Sequence, residues 1–558
     1  MGSGKLLEKQ IDNLFKVGVK MLKLNKEELI DKEQWQDAGI ETPEFDFQNL
    51  CNNTKENPEW IHFGAGNIFR AFIARLQQEL INQGAAETGI IAAEAYDYEI
   101  IDKVYAPNDN LSLLVKMHPN GELSKILLAS ITEGLKADPA FASDWQRLKE
   151  IFRSESLKVV SFTITEKGYS LKNIEGEFFD FILKDFKNGP QSPNHIMAKA
   201  AALAYERFKN GQLPIAFSSL DNCAHNGEKL HQSIFTVAEA WVANELVEKE
   251  FLGYLNDESR VAFPWSMIDK ITPGPSKVVQ KDLESINFKD TEIIKTNKNT
   301  EIAAFVNAEA PEYLVIEDKF PNGRIPLDQA GAIYTDQETV NKVEKMKVTT
   351  CLNPLHTAMA VYGCLLGYNS IAEEMKDQEI RTLIKKIGYQ EGLPVVVDPG
   401  VLDPKEFIDE VVEERLTNPY IPDTPQRIAK DTSQKIAIRF GETIKSYQAT
   451  NELKAADLTA IPLAIAGWLR YLMAVDDQGN KMPLSPDPML TELREELESI
   501  KFTKPESFDA QLKGLLSSEQ LMGVDLYQVG LGEKIEGFFK EMITAKGAVR
   551  KTLQKYLN

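Results

Sequence analysis

Two glycines placed where a strand turns into a helix are the first residues whose types and spacing suggest chemistry. Gly64 and Gly66 lie in WIHFGAG. At a strand-to-helix turn, glycines let the backbone approach a pyrophosphate, and the helix N-terminus offers unpaired N–H groups to it. Asn67 and Arg70 open the following helix and are read with the glycines as cofactor contacts. The third glycine of the usual dinucleotide fingerprint is missing, and Phe69 stands in its place. A second apolar stretch ends at Glu94, with Asp97 just beyond. An acidic side chain there accepts the adenosine ribose hydroxyls and repels a 2′-phosphate, which favours NAD over NADP and assigns the ribose to Glu94. By themselves, two glycines in a β–α turn serve a purely structural turn equally well.

A metal centre needs three or four closely placed Cys, His or carboxylate ligands. The histidines (His62, His118, His195, His225, His231 and His356) and the cysteines (Cys51, Cys223, Cys351 and Cys364) show no such spacing, so no metal is expected. The dispersed cysteines form no C-x-x-C pair and no disulfide framework, which fits a reducing compartment, the cytoplasm by default.

The elements that must carry these residues alternate. WIHF reads as a buried strand, and NIFRAFIARLQQELINQG carries apolar residues at helical spacing up to Gly84. TGIIAAEAYDY reads as the next strand, completing a parallel β-α-β unit. LKVVSFTIT and LPIAFSSL add strands, with the helical HIMAKAAALAYERFKNG between them, so a doubly wound sheet is predicted through about residue 240. Residues 276–300 read as polar and irregular, an excursion from the core. After about residue 336 strand signals nearly vanish, and LHTAMAVYGCLLGY, EFIDEVVEERL, LTAIPLAIAGWLRYLMAV and EKIEGFFKEMITAK all show helical periodicity. The predicted architecture is α/β: an N-terminal extension (1–56), a Rossmann-like NAD-binding domain (57–335), and a mainly helical substrate domain (336–558).

A chain of 558 residues exceeds one compact core, so two or three domains are expected. Its net charge of -21 argues against a nucleic-acid partner, which needs a concentrated basic face. No apolar run is long enough to span a membrane. The start, MGSGKLLEKQ, lacks the basic and apolar regions of a secretory signal. A small-molecule substrate is the expected partner.

Several blocks, in order from about residue 60 to 475, resemble the mannitol dehydrogenase family of polyol-specific long-chain dehydrogenases. They are HFGAGNIFRAF, VSFTITEKGY, SSLDNCAHNG, FPWSMIDKITP, YLVIEDKFPNGR, MKVTTCLNPLHTAMAVYG and PQRIAKDTSQKIAIRF. The resemblance implies a catalytic set within the pattern Lys-x5-Asn-x2-His: Lys347 as general acid-base, Asn353 as an amide on the reacting oxygen, and His356 as a hydrogen-bond partner of a substrate hydroxyl. A lysine base requires a lowered pKa, through burial or neighbouring charge. Asn353 followed by Pro354 also reads as a helix cap. Asn222, in Ser-Leu-Asp-Asn where the family has Ser-Cys-Asp-Asn, is implied as the second amide. The two amides together would hold an alkoxide or carbonyl oxygen. Asp269 is implied to tune the lysine, and Arg427 and Lys435 to contact substrate, a pair suited to a carboxylate.

The implied reaction is NAD-dependent hydride transfer between D-mannonate and D-fructuronate, with tagaturonate reduction or mannitol 2-oxidation as close alternatives. Two other classes stay open: a Schiff-base lyase using Lys347, and a non-catalytic NAD-binding module.

Overall fold

The computed structural model describes residues 21–173 and 175–557. The opening MGSGKLLEKQ and the rest of residues 1–20 lie outside that range. By internal contacts the described residues divide into two units, one of residues 21–117 and 123–337, the other of 118–122 and 338–557.

The first unit is built on six parallel strands, β1 (Trp60–Phe63), β2 (Ile90–Glu94), β3 (Ile131–Lys136), β4 (Val159–Phe162), β5 (Ile215–Ser219) and β6 (Val261–Ala262). Their order across the sheet is β3-β2-β1-β4-β5-β6, the doubly wound arrangement in which the direction of winding reverses at β1. Every residue of β1, β2, β4 and β5 is buried, as a parallel sheet covered on both faces requires. Alternation decides which face each residue serves. Ile61, Phe63, Ile91 and Ala93 join Leu148, Leu203, Ile234 and Trp241 on one side, from α2 (Ala142–Arg153), α3 (Ile196–Lys209) and α4 (Asn226–Ala243). Trp60, Ile90 and Ala92 join Phe69, Phe72 and the α1 (Ala74–Asn82) residues Leu76 and Leu80 on the other. Each buried leucine, isoleucine or phenylalanine among them contributes about 1.5–3 kcal/mol on leaving water.

A second sheet orders Ile40–Glu41, Leu123–Leu128, Ser112–Met117 and Phe305–Glu309, so part of the N-terminal extension is woven into the first unit. Residues 276–300 depart from the irregular reading. Lys277–Ser285 is an α-helix capped by Ser276, whose side chain accepts from the Val278 amide, and it buries Val279 and Leu283. Two apolar residues four apart are enough to seat a short helix whose other faces are polar. Ile294–Lys295 and Glu301–Ile302 then form a two-stranded hairpin.

Among the described residues after 336 no strand occurs beyond isolated bridges. The second unit is helical. Its centre is α6 (Asn353–Leu366), reached from α5 (Gln337–Met346) through a π-helical turn, Lys347–Cys351. α6 packs on α7 (Pro425–Ile428) and α8 (Ala460–Tyr471), and α8 packs on α9 (Gly532–Met542). Gly467 permits close approach in α8, because a Cβ there would press on the Tyr362 ring of α6.

Candidate functional site

In the first unit the glycine turn follows β1, at the reversal of winding where α/β sheets bind ligands. Gly64 has φ +107°, and an added Cβ would strike the Thr163 carbonyl, its carbon 3.0 Å away. The close passage of the chain after β4 therefore demands glycine there. Gly66 is different: an added Cβ would meet nothing within 4 Å. That open cradle at the start of a helix fits a pyrophosphate, whose oxygens would occupy the space. Phe69 replaces the third glycine because its ring stacks on His62 of β1, centroids 4.3 Å apart, at the head of a π-helical turn. The His62 nitrogens lie 2.6 Å from Ser161 Oγ and 2.8 Å from Thr163 Oγ1, and burial pushes its pKa down to about 3. The ring is neutral and braces β1 against β4.

The remaining cofactor candidates have partners within the unit. Asn67 donates to the Pro273 carbonyl at 3.1 Å and accepts from Arg70 at 3.2 Å. Arg70 is fully buried and also donates to Ser112 Oγ (3.1 Å) and the Ala303 carbonyl (2.8 Å). Its guanidinium thus braces the helix start against the second sheet. Glu94, at the end of β2, accepts from the amides of Ala65 (2.9 Å), Ala95 (3.0 Å), Tyr96 (2.8 Å) and Asp97 (3.2 Å). Burial raises its pKa, against those hydrogen bonds. The carboxylate ties β2 to the middle of the glycine turn. Asp97 accepts from Thr296 Oγ1 at 2.6 Å, a partner 199 residues away.

Asp269 is buried at the end of a strand, Ser266–Asp269, that pairs antiparallel with Tyr313–Glu317. The loop that follows it supplies the Pro273 carbonyl held by Asn67, so the structure joins the Asp269 segment to the glycine turn. Asn222 is exposed just beyond β5. Asp221 before it accepts from the amides of Ile164 and Thr165 and from the Tyr169 hydroxyl, contacts that no local pattern announces.

In the second unit Lys347 is 2 % exposed and opens the π-helical turn. Such turns recur at functional sites because they displace one residue from the regular ladder. Asn353 departs from the capping expectation. It lies in the first turn of α6, and the cap position falls on Leu352, which offers no side-chain cap hydrogen bond. His356 follows on the same helix. Burial pushes its pKa down to about 4; Asp423 opposes that, while Arg415, Arg439 and Arg427 add to it. It is therefore neutral at physiological pH and able both to donate and to accept.

Arg427 is engaged by Asp423 through two bonds of 2.6 Å each, on a carboxylate that is buried while the arginine side chain is 70 % exposed. Lys435 donates to the Lys430 carbonyl and, at 3.4 Å, to that of Ile428; burial and then Arg439 lower its pKa. The structure thus gathers His356, Arg427 and Lys435 with residues the motif reading passed over. Arg439 donates to Thr357 Oγ1 at 2.5 Å and to the Asn353 carbonyl at 3.5 Å, clamping the first turn of α6, and burial lowers its pKa to about 10. The four-residue spacing of Arg427 on α7 and Asp423, which directly precedes the Thr424 cap of that helix, was the one local signal for this cluster.

Among the described residues no group of three or more His, Cys, Asp or Glu side chains could hold a metal ion. No helix there is long and apolar enough to cross a membrane.

Comparisons with known proteins bear on both units. The mannitol dehydrogenase Rossmann domain matches residues 58–329, and the mannitol dehydrogenase C-terminal domain matches residues 339–541. D-mannonate oxidoreductase of Thermotoga maritima is 55% identical over 96% of this chain and 99% of its own. D-sorbitol dehydrogenase in substrate-free form superposes with a TM-score of 0.76 at 22% identity, covering 92% of this chain and 98% of that one. Mannitol 2-dehydrogenase of Pseudomonas fluorescens, solved with NAD and D-mannitol, gives a TM-score of 0.67 at 24% identity, covering 96% and 99%. The chain belongs to the mannitol dehydrogenase family and is an oxidoreductase of its dehydrogenase class.

Proposed function

We propose that the protein interconverts D-mannonate and D-fructuronate by reversible hydride transfer with NAD(H), in the cytoplasm. The observation that carries this reading is the 55% identity, over nearly the whole of both chains, to a D-mannonate oxidoreductase. The open cradle at Gly66 supports a dinucleotide, and the Glu94 carboxylate at the end of β2 supports NAD over NADP because a 2′-phosphate there would face negative charge. When bound, the nicotinamide supplies the hydride acceptor or donor. Gly64, Gly66 and Asn67 would hold its pyrophosphate end, with Arg70 setting the helix that presents them.

The chain's own residues handle the proton and the oxygen. Lys347 Nζ takes the proton of the secondary hydroxyl in oxidation and returns it in reduction, and Asp269 tunes its charge. The amides of Asn222 and Asn353 donate to the reacting oxygen, stabilising it where negative charge develops. His356, neutral, hydrogen-bonds a neighbouring hydroxyl and orients the reacting carbon. Arg427 and Lys435 supply positive charge for the substrate carboxylate, Asp423 fixing the plane of the guanidinium. We assign the substrate domain to the helical part, 336–558, and cofactor binding to 57–335.

The test follows NADH absorbance with purified protein on fructuronate, tagaturonate and fructose, beside a Lys347→Ala variant. Rapid oxidation with fructuronate, lost in the variant, is the expected result. Turnover of tagaturonate or fructose instead would move the enzyme to a neighbouring substrate. If no sugar consumed NADH while borohydride trapped a keto-sugar on Lys347, the dehydrogenase reading would fail.

A further inference from the structure

Thr165 is an exposed residue just beyond β4, with φ 65° and ψ 158°. That region of backbone space is essentially restricted to glycine, and a side chain persists there only where its surroundings over-determine it. Here the surroundings are one carboxylate. Asp221, 56 residues later, accepts from the Thr165 amide with Oδ1 (2.9 Å) and from the Ile164 amide with Oδ2 (2.8 Å). The Tyr169 hydroxyl closes the far side of the turn at 2.6 Å from Oδ2, itself 2.7 Å from Ser219 Oγ. The Asp221 carbonyl is held as well, by the Cys223 amide (2.9 Å) and the Asn226 side chain (3.0 Å).

The place of this turn makes the strain informative. Two residues before Thr165, the Thr163 carbonyl fills the space a side chain at Gly64 would need, and the Thr163 amide donates to the Phe63 carbonyl at 2.9 Å. Asp221 itself directly precedes Asn222. One carboxylate therefore links the segment against the glycine turn to the residue proposed to hold the reacting oxygen.

We propose that Asp221 is a positioning residue of the reaction: by holding Thr165 in a glycine-like conformation, it sets the turn after β4 between the glycine turn and Asn222. The effect on turnover rests on the dehydrogenase reading above; the effect on NADH affinity rests only on dinucleotide binding at the Gly64 turn. The experiment compares Asp221→Asn, Thr165→Gly, and the double variants Thr165→Gly/Asp221→Asn and Thr165→Ala/Asp221→Asn. NADH Kd is read by fluorescence titration, and kcat and KM by NADH oxidation.

Asp221→Asn removes one of the two acceptors and is expected to raise NADH Kd and lower kcat by roughly tenfold each, since the strained turn relaxes. Thr165→Gly alone stays within about twofold of the parent, because glycine adopts the same conformation without strain. In the Asp221→Asn background, glycine at 165 restores both quantities to within about threefold of the parent, whereas alanine, which keeps a Cβ, does not. A general loss of fold would not distinguish the two. If Asp221→Asn alone fails to fold, the paired double variants carry the comparison. Parent-like kinetics in Asp221→Asn, or equal behaviour of the glycine and alanine doubles, overturns the proposal. If the parent turns over no sugar, the functional reading falls, while the NADH affinity series still decides the role of Asp221.

Discussion

Replacing each of the two turn glycines by alanine separates fold from cofactor. At Gly64 the new Cβ meets the Thr163 carbonyl and the backbone sits at φ +107°, so Gly64→Ala strains the native state twice over. Overpacking costs about 1–3 kcal/mol and a left-handed alanine about 1–2 kcal/mol more. A domain of about 250 residues loses about 2 °C of Tm per kcal/mol and a larger one somewhat less, so a fall of several degrees is expected. At Gly66 the φ is not positive and nothing lies within 4 Å of the added Cβ, so Gly66→Ala leaves Tm within about 1 °C of the parent. The same methyl group occupies the space assigned to the pyrophosphate. Displacing those oxygens from the backbone amides raises NADH Kd at least about tenfold, or 1.4 kcal/mol. The assay is thermal melting without ligand, followed by calorimetric titration with NADH. Gly66→Ala with an unchanged NADH Kd would refute the placement of the pyrophosphate, and a Tm loss equal to that of Gly64→Ala would refute the steric argument.

Further outcomes follow from the same geometry. His62 has a depressed pKa in the folded protein, so below pH 6.5 the unfolded state binds the proton and stability is lost as pH falls towards about 3. The stability advantage of the parent over a non-titrating His62→Gln variant should shrink by about 1.4 kcal/mol per pH step between pH 6.5 and 4.5, read by chemical denaturation; a constant difference contradicts a buried neutral imidazole. Arg439→Gln removes a charge-assisted bond worth about 1.5–3 kcal/mol from the first turn of α6, and kcat/KM should fall about tenfold or more with little change in NADH Kd; parent kinetics would detach Arg439 from the site. Prolonged treatment with a chelator should leave turnover unchanged, because a lysine base makes a metal unnecessary, and loss restored by zinc would overturn that reading.

What the sequence determined by itself was whatever short range encodes. Trp60–Phe63, the glycine pair, the helical run to Gly84 and Ile90–Glu94 declare a β-α-β unit because strand, turn and helix each have a local period or a local backbone requirement. The helical character after residue 336 was legible for the same reason. The family was legible because its ordered blocks survive as words. Residues 276–300 were misread because Val279 and Leu283 carry too thin an apolar stripe to stand out from polar surroundings. The tertiary structure alone decided which charges meet. Asp97 finds Thr296, Asp221 holds Thr165, Arg70 turns inward to Ser112 and Ala303, and Arg439 reaches Thr357 across 82 residues. A hydrogen bond between distant side chains leaves no periodicity in either segment. Its cost and benefit arise only when burial strips both groups of water, so the electrostatics around His356 exist only in the folded chain.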